Sequence, residues 1–287
     1  MKITSIDTGY FKLDGGAMFG VVPYVIWKKL NPPDENNLCP WAMRCLLVET
    51  PTRKILIDTG MGDKQDEKFF SHYYPHGTET LWTSLQKVGI HPSDITDVLL
   101  THLHFDHCGA AVVRNEQGSL VPAFPNATYW TNKSHYDWAF NPNARERASF
   151  LKENFVPLMD ANVLQFIPEQ QGTEWLDGIR IFYVYGHTEA MMLPLIPTAT
   201  QPLLYAADLI PAAAHIPLPF VMAYDMRPLV TLDEKKYILE QCLEHNYALF
   251  FEHDPTHECA TLTRLPNGKI VLDKLFTADT LNNRPIA

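Results

Sequence analysis

Short apolar runs rich in β-branched and aromatic residues recur along the chain, and each is closed by a polar or small residue. In the first half they predict strands over Ile3–Asp7, Trp41–Glu49, Lys54–Asp58 and Thr96–Thr101. In the second half they predict strands near Ala127–Trp130, Val163–Phe166, Ile179–Tyr185, Leu203–Ala207 and Ala248–Glu252. Helical spacing shows in two stretches. Thr78–Val88 is followed by Gly89, a plausible C-terminal cap. In Asp233–His245 the apolar positions Tyr237, Ile238, Cys242 and Leu243 recur on one face, with Thr231 placed as a cap. Strand-rich halves that each carry helices predict an α/β protein, two sheets packed face to face with helices outside. Between Ser134 and Met159, Tyr136, Trp138, Phe140, Phe150 and Phe155 alternate with charged residues. This stretch predicts a helical insertion, about 134–159, that covers a site, forms a subunit interface or simply packs on the core.

Composition changes the picture in three ways. A length of 287 residues suits one large α/β domain or two small ones. Lys plus Arg total 23 against 33 for Asp plus Glu, and no basic run occurs, so no nucleic-acid partner is expected. The five cysteines, Cys39, Cys45, Cys108, Cys242 and Cys259, are odd in number and lack a CxxC pair. They predict free thiols in a reducing compartment. The amino terminus has no apolar signal core and no run reaches membrane-helix length. A cytoplasmic protein without a membrane partner is the expectation.

The chemistry concentrates in Thr101–Gly109, THLHFDHCG. His102, His104, Asp106 and His107 fall within six positions, just after an apolar run. The ligands would sit on a loop at a strand's carboxyl end, where open α/β layers place their sites. Residues two apart in an extended loop project to the same side, so His102 and His104 can hold one metal. Asp106 and His107 follow a turn and can face a second. Zinc favours imidazole nitrogen and carboxylate oxygen, and four ligands cannot complete two catalytic sites. His187, Asp208 and His253 each end a further apolar run and supply the missing donors. The remaining histidines, His72, His76, His91, His135, His245 and His257 among them, are read as non-ligands, and Cys108 as packing.

With these residues in place the chain resembles the metallo-β-lactamase superfamily. The HxHxDH motif is met by His102, His104, Asp106 and His107, and the later ligands by His187, Asp208 and His253 in order. Lys54–Gly60 is similar to the family strand whose Asp, here Asp58, supports the metal loop. The resemblance runs from about Ile3 to Asp273. It implies one four-layer αββα domain over 1–287. It implies two divalent metal ions, zinc by preference, with His102, His104 and His187 on one, Asp106, His107 and His253 on the other, and Asp208 bridging. A water activated between the cations would be the nucleophile, and Asp106 would carry a proton to the leaving oxygen.

The substrate must be read elsewhere. Zinc β-lactamases generally lack the bridging aspartate, and glyoxalase II-type thioesterases add a basic helical region absent from Thr261–Ala287. Asp14–Pro23, with GGAMFG inside it, and Ala223–Pro228 resemble N-acyl-homoserine lactone lactonases and methyl parathion hydrolase-like enzymes. That resemblance implies a pocket wall of Met18, Phe19 and Trp27 for an acyl chain or aromatic group. The alternative is that Phe19 fills the core while Gly15, Gly16 and Gly20 permit a tight turn. Many lactonases carry a tyrosine three residues after the bridging aspartate, where this chain has Pro211. His215 and Tyr224 are the candidates to replace it. The expected reaction is opening of an N-acyl-homoserine lactone ring, with phosphotriesters and aryl or carboxylic esters as alternatives; a thioesterase or a relative that has lost hydrolysis ranks below them, the complete ligand set arguing against the latter. The family and the aromatic insertion also suggest a homodimer.

Overall fold

The computed structural model describes residues 1–282. The first half forms β1 (Lys2–Asp14), α1 (Gly15–Phe19), α2 (Tyr24–Trp27), β2 (Leu38–Glu49), β3 (Lys54–Ile57), α3 (Glu67–Tyr73), α4 (Leu81–Lys87), β4 (Asp97–Leu99), α5 (Phe105–Cys108), β5 (Val112–Arg114), β6 (Leu120–Pro122) and β7 (Thr128–Thr131). It continues through α6 (Lys133–Phe140), α7 (Val156–Asp160), β8 (Leu164–Phe166), β9 (Thr173–Glu174), β10 (Arg180–Val184), β11 (Met191–Ile196), β12 (Leu203–Tyr205), α8 (Pro228–Glu244), β13 (Ala248–Phe250), β14 (Cys259–Arg264) and β15 (Ile270–Phe276).

Two sheets carry the fold. One runs β1-β2-β3-β4-β7-β8, the other β15-β14-β13-β12-β11-β10-β9. The period-2 alternation of the strands explains why both sheets are covered on two sides. In β2, Leu46 and Val48 join a core shared with the second sheet, whereas Cys45 and Leu47 face a core under α4, α6 and α7. In β3, Ile55 and Ile57 take the first side and Leu56 the second. On the other sheet α8 contributes Ile238, Leu239 and Cys242. The result is the expected four-layer αββα arrangement. All five cysteines are free and buried. Among the described residues no helix is long and apolar enough to cross a membrane.

Several elements differ from the sequence expectation. Helix α8 begins at Pro228, five residues earlier than the periodicity suggested, with Pro in the first turn where its fixed φ suits a helix start. Thr231 therefore lies inside the helix rather than capping it. β1 runs on to Asp14, and β11 and the β14–β15 hairpin were not anticipated. Gly89 does close α4, at φ +75°. The helical insertion of 134–159 is built of α6, two 3-10 turns and α7.

Candidate metal centre

Five strand ends converge on one point. Asp58 follows β3, His102 and His104 follow β4, His187 follows β10, Asp208 follows β12 and His253 follows β13. Strand ladders fix these backbone positions, so the side chains arrive on rigid supports. His104 is the N-cap of α5 in extended backbone, and Asp106 and His107 occupy the helix itself. The helical turn carries the latter pair to a different side from His102 and His104. Gly109 is required here, because a Cβ would lie 1.9 Å from the Met61 carbonyl oxygen. Gly186, beside His187, is equally constrained by the close approach of Thr231 on α8. Asp58 and Ala207 hold left-handed backbone at φ +58° and +41°, both at the site.

The donor atoms form two groups, His102, His104, His187 and Asp208 in one, Asp106, His107 and His253 in the other. His104 Nδ1 lies 3.1 Å from His102 Nε2 and 3.2 Å from His187 Nε2. His107 Nε2 lies 3.1 Å from His253 Nε2. Asp106 Oδ2 is 3.8 Å from His107 Nε2 and 3.7 Å from His253 Nε2. Asp208 spans the groups, with Oδ2 3.1 Å from His187 Nε2 and Oδ1 3.0 Å from His253 Nε2.

The outer nitrogen of each ring decides whether a cation fits. His107 Nδ1 faces Asp58 Oδ2 at 3.2 Å and Glu252 Oε2 at 3.1 Å. His253 Nδ1 donates to the Ala42 carbonyl at 2.7 Å. His104 Nε2 faces Glu146 Oε1 at 3.1 Å, and His187 Nδ1 faces Asp225 Oδ1 at 2.9 Å. Thr101 Oγ1 donates to Asp58 Oδ2 at 2.7 Å and accepts from His102 Nδ1 at 3.2 Å. Each outer nitrogen is thus held by its own partner, and each ring turns its other nitrogen inward. Inner nitrogens about 3 Å apart in a buried site require positive charge among them, supplied by protons or by a cation that displaces them. Asp208 Oδ1 is also buried without a hydrogen-bond partner. These donors fit two divalent cations.

Electrostatics points the same way. Burial, reinforced by His107 and His104, holds His102 well below the ordinary imidazole range. At His187 and His253 burial acts downward too, but Asp208 outweighs it and raises them to about 10 and about 9. A cation taking these nitrogens displaces protons as it binds. Burial pushes the Glu252 carboxyl above its ordinary range. Burial works against ionisation of Glu146 as well, but the hydrogen bonds from His104 and Trp138 keep it ionised, down to about 2.

The donors floor a cavity of about 330 Å³. Met18, Tyr224 and Asp106 line it. Phe19, Trp27 and His215 do not. Phe19 is fully buried and stacks between Trp27 (5.2 Å, 9°) and His215 (4.7 Å, 5°), forming the support behind the wall. His215 Nε2 bonds the Met18 carbonyl oxygen at 2.9 Å, and burial holds the ring down to about 3. Residues not singled out beforehand also reach the centre. Glu146 and Arg145 come from the insertion, Asp225 from the segment before α8, and Tyr73 from α3. His135, read as a non-ligand, accepts the Leu103 N–H at Nε2 (2.8 Å) and so braces the ligand loop. Cys108 bonds the Leu103 carbonyl at 3.3 Å. Glu146 sits between Arg145 and Arg147, so no local signal distinguishes it from the other charged residues of the stretch.

An αββα fold with a buried cluster of imidazoles and carboxylates at its strand ends defines a metal-dependent hydrolase. The metallo-beta-lactamase superfamily profile matches residues 42–244, and the chain belongs to that superfamily. An N-acyl homoserine lactonase of Bacillus cereus is 26% identical over 242 residues, 80% of this chain and 86% of its own. A probable metal-dependent hydrolase from Staphylococcus aureus superposes with a TM-score of 0.85 at 26% identity, covering 96% of both chains. AidC, a dizinc quorum-quenching lactonase solved with a product, shares the fold at a TM-score of 0.76 and 23% identity, over 94% of this chain and 93% of its own.

Proposed function

We propose that the chain is a dinuclear zinc hydrolase that opens the ring of N-acyl homoserine lactones, a quorum-quenching activity. The observation that carries this is Asp208, one carboxylate reaching both donor groups at the floor of a cavity with an apolar wall. When bound, the metal pair supplies Lewis acidity and an activated water. The seven donors would hold it, and their outer partners fix each ring. Asp106 lines the cavity and can pass a proton to the leaving alkoxide of the opened ring. Tyr73 and Tyr224 stay protonated at neutral pH and can donate to the ring carbonyl in place of the tyrosine that Pro211 replaces. Burial, then Asp106, pushes Tyr73 up to about 12. Burial likewise raises Tyr224. Leu13, Met18, Phe105 and Met222 offer the apolar surface for an acyl chain.

The same aromatic hydroxyls suit aryl esters and phosphotriesters, which makes those the second reading. We place the protein as a homodimer in the cytoplasm. The exposed apolar run Val21, Val25, Ile26 and Leu30 supports the first, and five free thiols support the second. The deciding experiment is a substrate panel on metal-quantified enzyme. Lactone opening faster than turnover of aryl esters or paraoxon is expected. Ester or paraoxon turnover with no lactone opening at any chain length overturns the assignment.

A further inference from the structure

The two donor groups are held by different parts of the molecule. Around Asp106, His107 and His253 the outer acceptors are Asp58, Glu252 and the Ala42 carbonyl. They lie at or beside the ends of β3 and β13 and within β2. Around His102, His104 and His187, only Thr101 belongs to the sheet-end loops. The other two acceptors, Glu146 and Asp225, come from the insertion and from the segment before α8.

Those two segments are clasped together. The Arg145 Nη2 donates to the Ala223 carbonyl and lies 3.4 Å from the Asp225 carbonyl. Arg227 stacks over Trp138 at 5.2 Å, and the Trp138 indole donates to Glu146 Oε2 at 2.7 Å. Asn143 takes the N–H groups of Arg145 and Glu146 at 2.8 and 3.0 Å and donates to Glu146 Oε2 at 3.1 Å. Glu146 is only 2% exposed, so the insertion delivers a buried carboxylate to a ligand ring. His104 and His187, whose acceptors these two segments supply, meet across the site with Nδ1 and Nε2 3.2 Å apart.

We propose that Glu146 and Arg145 are positioning residues for one metal position only. The His102/His104/His187 position is insertion-controlled and fills second, while the Asp106/His107/His253 position is set by the sheets and fills first. The inference rests on the dinuclear reading above. It follows because a ligand ring without its outer acceptor loses both its tautomer and its orientation, and outer-partner loss typically weakens metal binding about 10–100-fold.

The test is a zinc titration of the chelator-stripped full-length protein, wild type against Glu146→Ala and Glu146→Gln. Wild type is expected to take two equivalents. In Glu146→Ala the second equivalent weakens about 10–100-fold while the first is unchanged. Gln keeps an acceptor oxygen, so Glu146→Gln recovers most of the loss, which a merely structural role would not predict. Arg145→Ala, one step further out, weakens the same equivalent by less. X-ray absorption on half-loaded Glu146→Ala counts imidazoles per zinc. Two imidazoles identify the sheet-set position as the one retained, and three overturn the proposal. Equal weakening of both equivalents, or of neither, also overturns it. A wild type that never takes a second equivalent sinks the dinuclear reading itself, a different failure.

Discussion

The sheet-set and insertion-controlled halves of the centre use the same side-chain chemistry on different foundations. His107 leans on Asp58 and Glu252, both fully buried at strand ends. His104 leans on Glu146, which belongs to the connection between β7 and β8 rather than to a strand end. The first half is a by-product of folding, because the strand ladders that build the core also deliver the acceptors. The second depends on a connecting segment finding its place. Such a division lets one fold keep its metal chemistry while its connections change the site's mouth.

The largest expected effect falls on the residue both halves share. Asp208→Ala should weaken both metal equivalents and reduce lactone opening by at least about 10²-fold. His187→Ala and His253→Ala should each remove one equivalent, from opposite halves. Metal analysis of the three variants checks this. If His187→Ala empties both positions, the halves are not separable.

Asp58→Asn comes next and tests the foundation rather than the ligands. Asp58 takes the Thr101 N–H at 2.8 Å, the Thr101 hydroxyl at 2.7 Å and His107 Nδ1 at 3.2 Å. Breaking a buried charged network of this kind costs about 3 kcal/mol, a fall in Tm of roughly 6–12 °C. Glu146→Ala strips a buried acceptor from His104 and Trp138 but breaks no strand-end contact, so it should cost less, about 1 kcal/mol or a fall of roughly 2–4 °C in the stripped protein. Thermal melts of both stripped variants sharpen the comparison, and equal losses would erase it.

Sequence made the ligands of both halves readable and left the acceptors of the insertion-controlled half dark. His102, His187, Asp208 and His253 each end an apolar run, so a strand prediction carries them to one edge. The insertion has no such period, and nothing local ties Glu146 to His104, 42 residues away. Asp225 sat in a segment noted only for its resemblance. The same logic explains the fold errors. β11 contains Pro194, which pairs with Ile181 alone, and the β12 ladder begins one residue later at Leu195. The β14–β15 hairpin did advertise itself in Leu265-Pro-Asn-Gly268, with Gly268 at φ +84°. Phe19 and Trp27 were assigned to the pocket because an exposed aromatic and a buried one look alike in sequence. Only the stack onto His215 separates them from Met18, one residue away.

Cavity hydroxyls carry a smaller expected effect. Tyr73→Phe and Tyr224→Phe change no outer partner of a ligand, so metal content should stay at the wild-type level. If one hydroxyl donates to the ring carbonyl as charge develops, its loss lowers kcat for lactones about 10-fold or more. A rise in KM alone would assign that tyrosine to binding that is uniform along the reaction. Steady-state kinetics with matched metal content distinguishes the two.

The smallest effect concerns His215, which supports the wall without touching the cavity. Its folded value is held at about 3 against about 6.5 when unfolded. As pH falls below about 6.5 the unfolded chain takes a proton that the folded ring refuses, so this group withdraws stability at about 1.4 kcal/mol per unit down to about 3. His215→Phe keeps the stack on Phe19 but loses the bond to the Met18 carbonyl, at a cost of about 1 kcal/mol near pH 8. The variant should therefore melt below wild type at pH 8 and above it by pH 5. Groups common to both proteins, the metal ligands included, largely cancel in that difference. Because the ring stands behind Met18 rather than in the lining, kcat/KM for a lactone should change by less than about 3-fold at pH 8. A loss of 10-fold or more with metal content intact would move His215 from the support of the cavity into its chemistry.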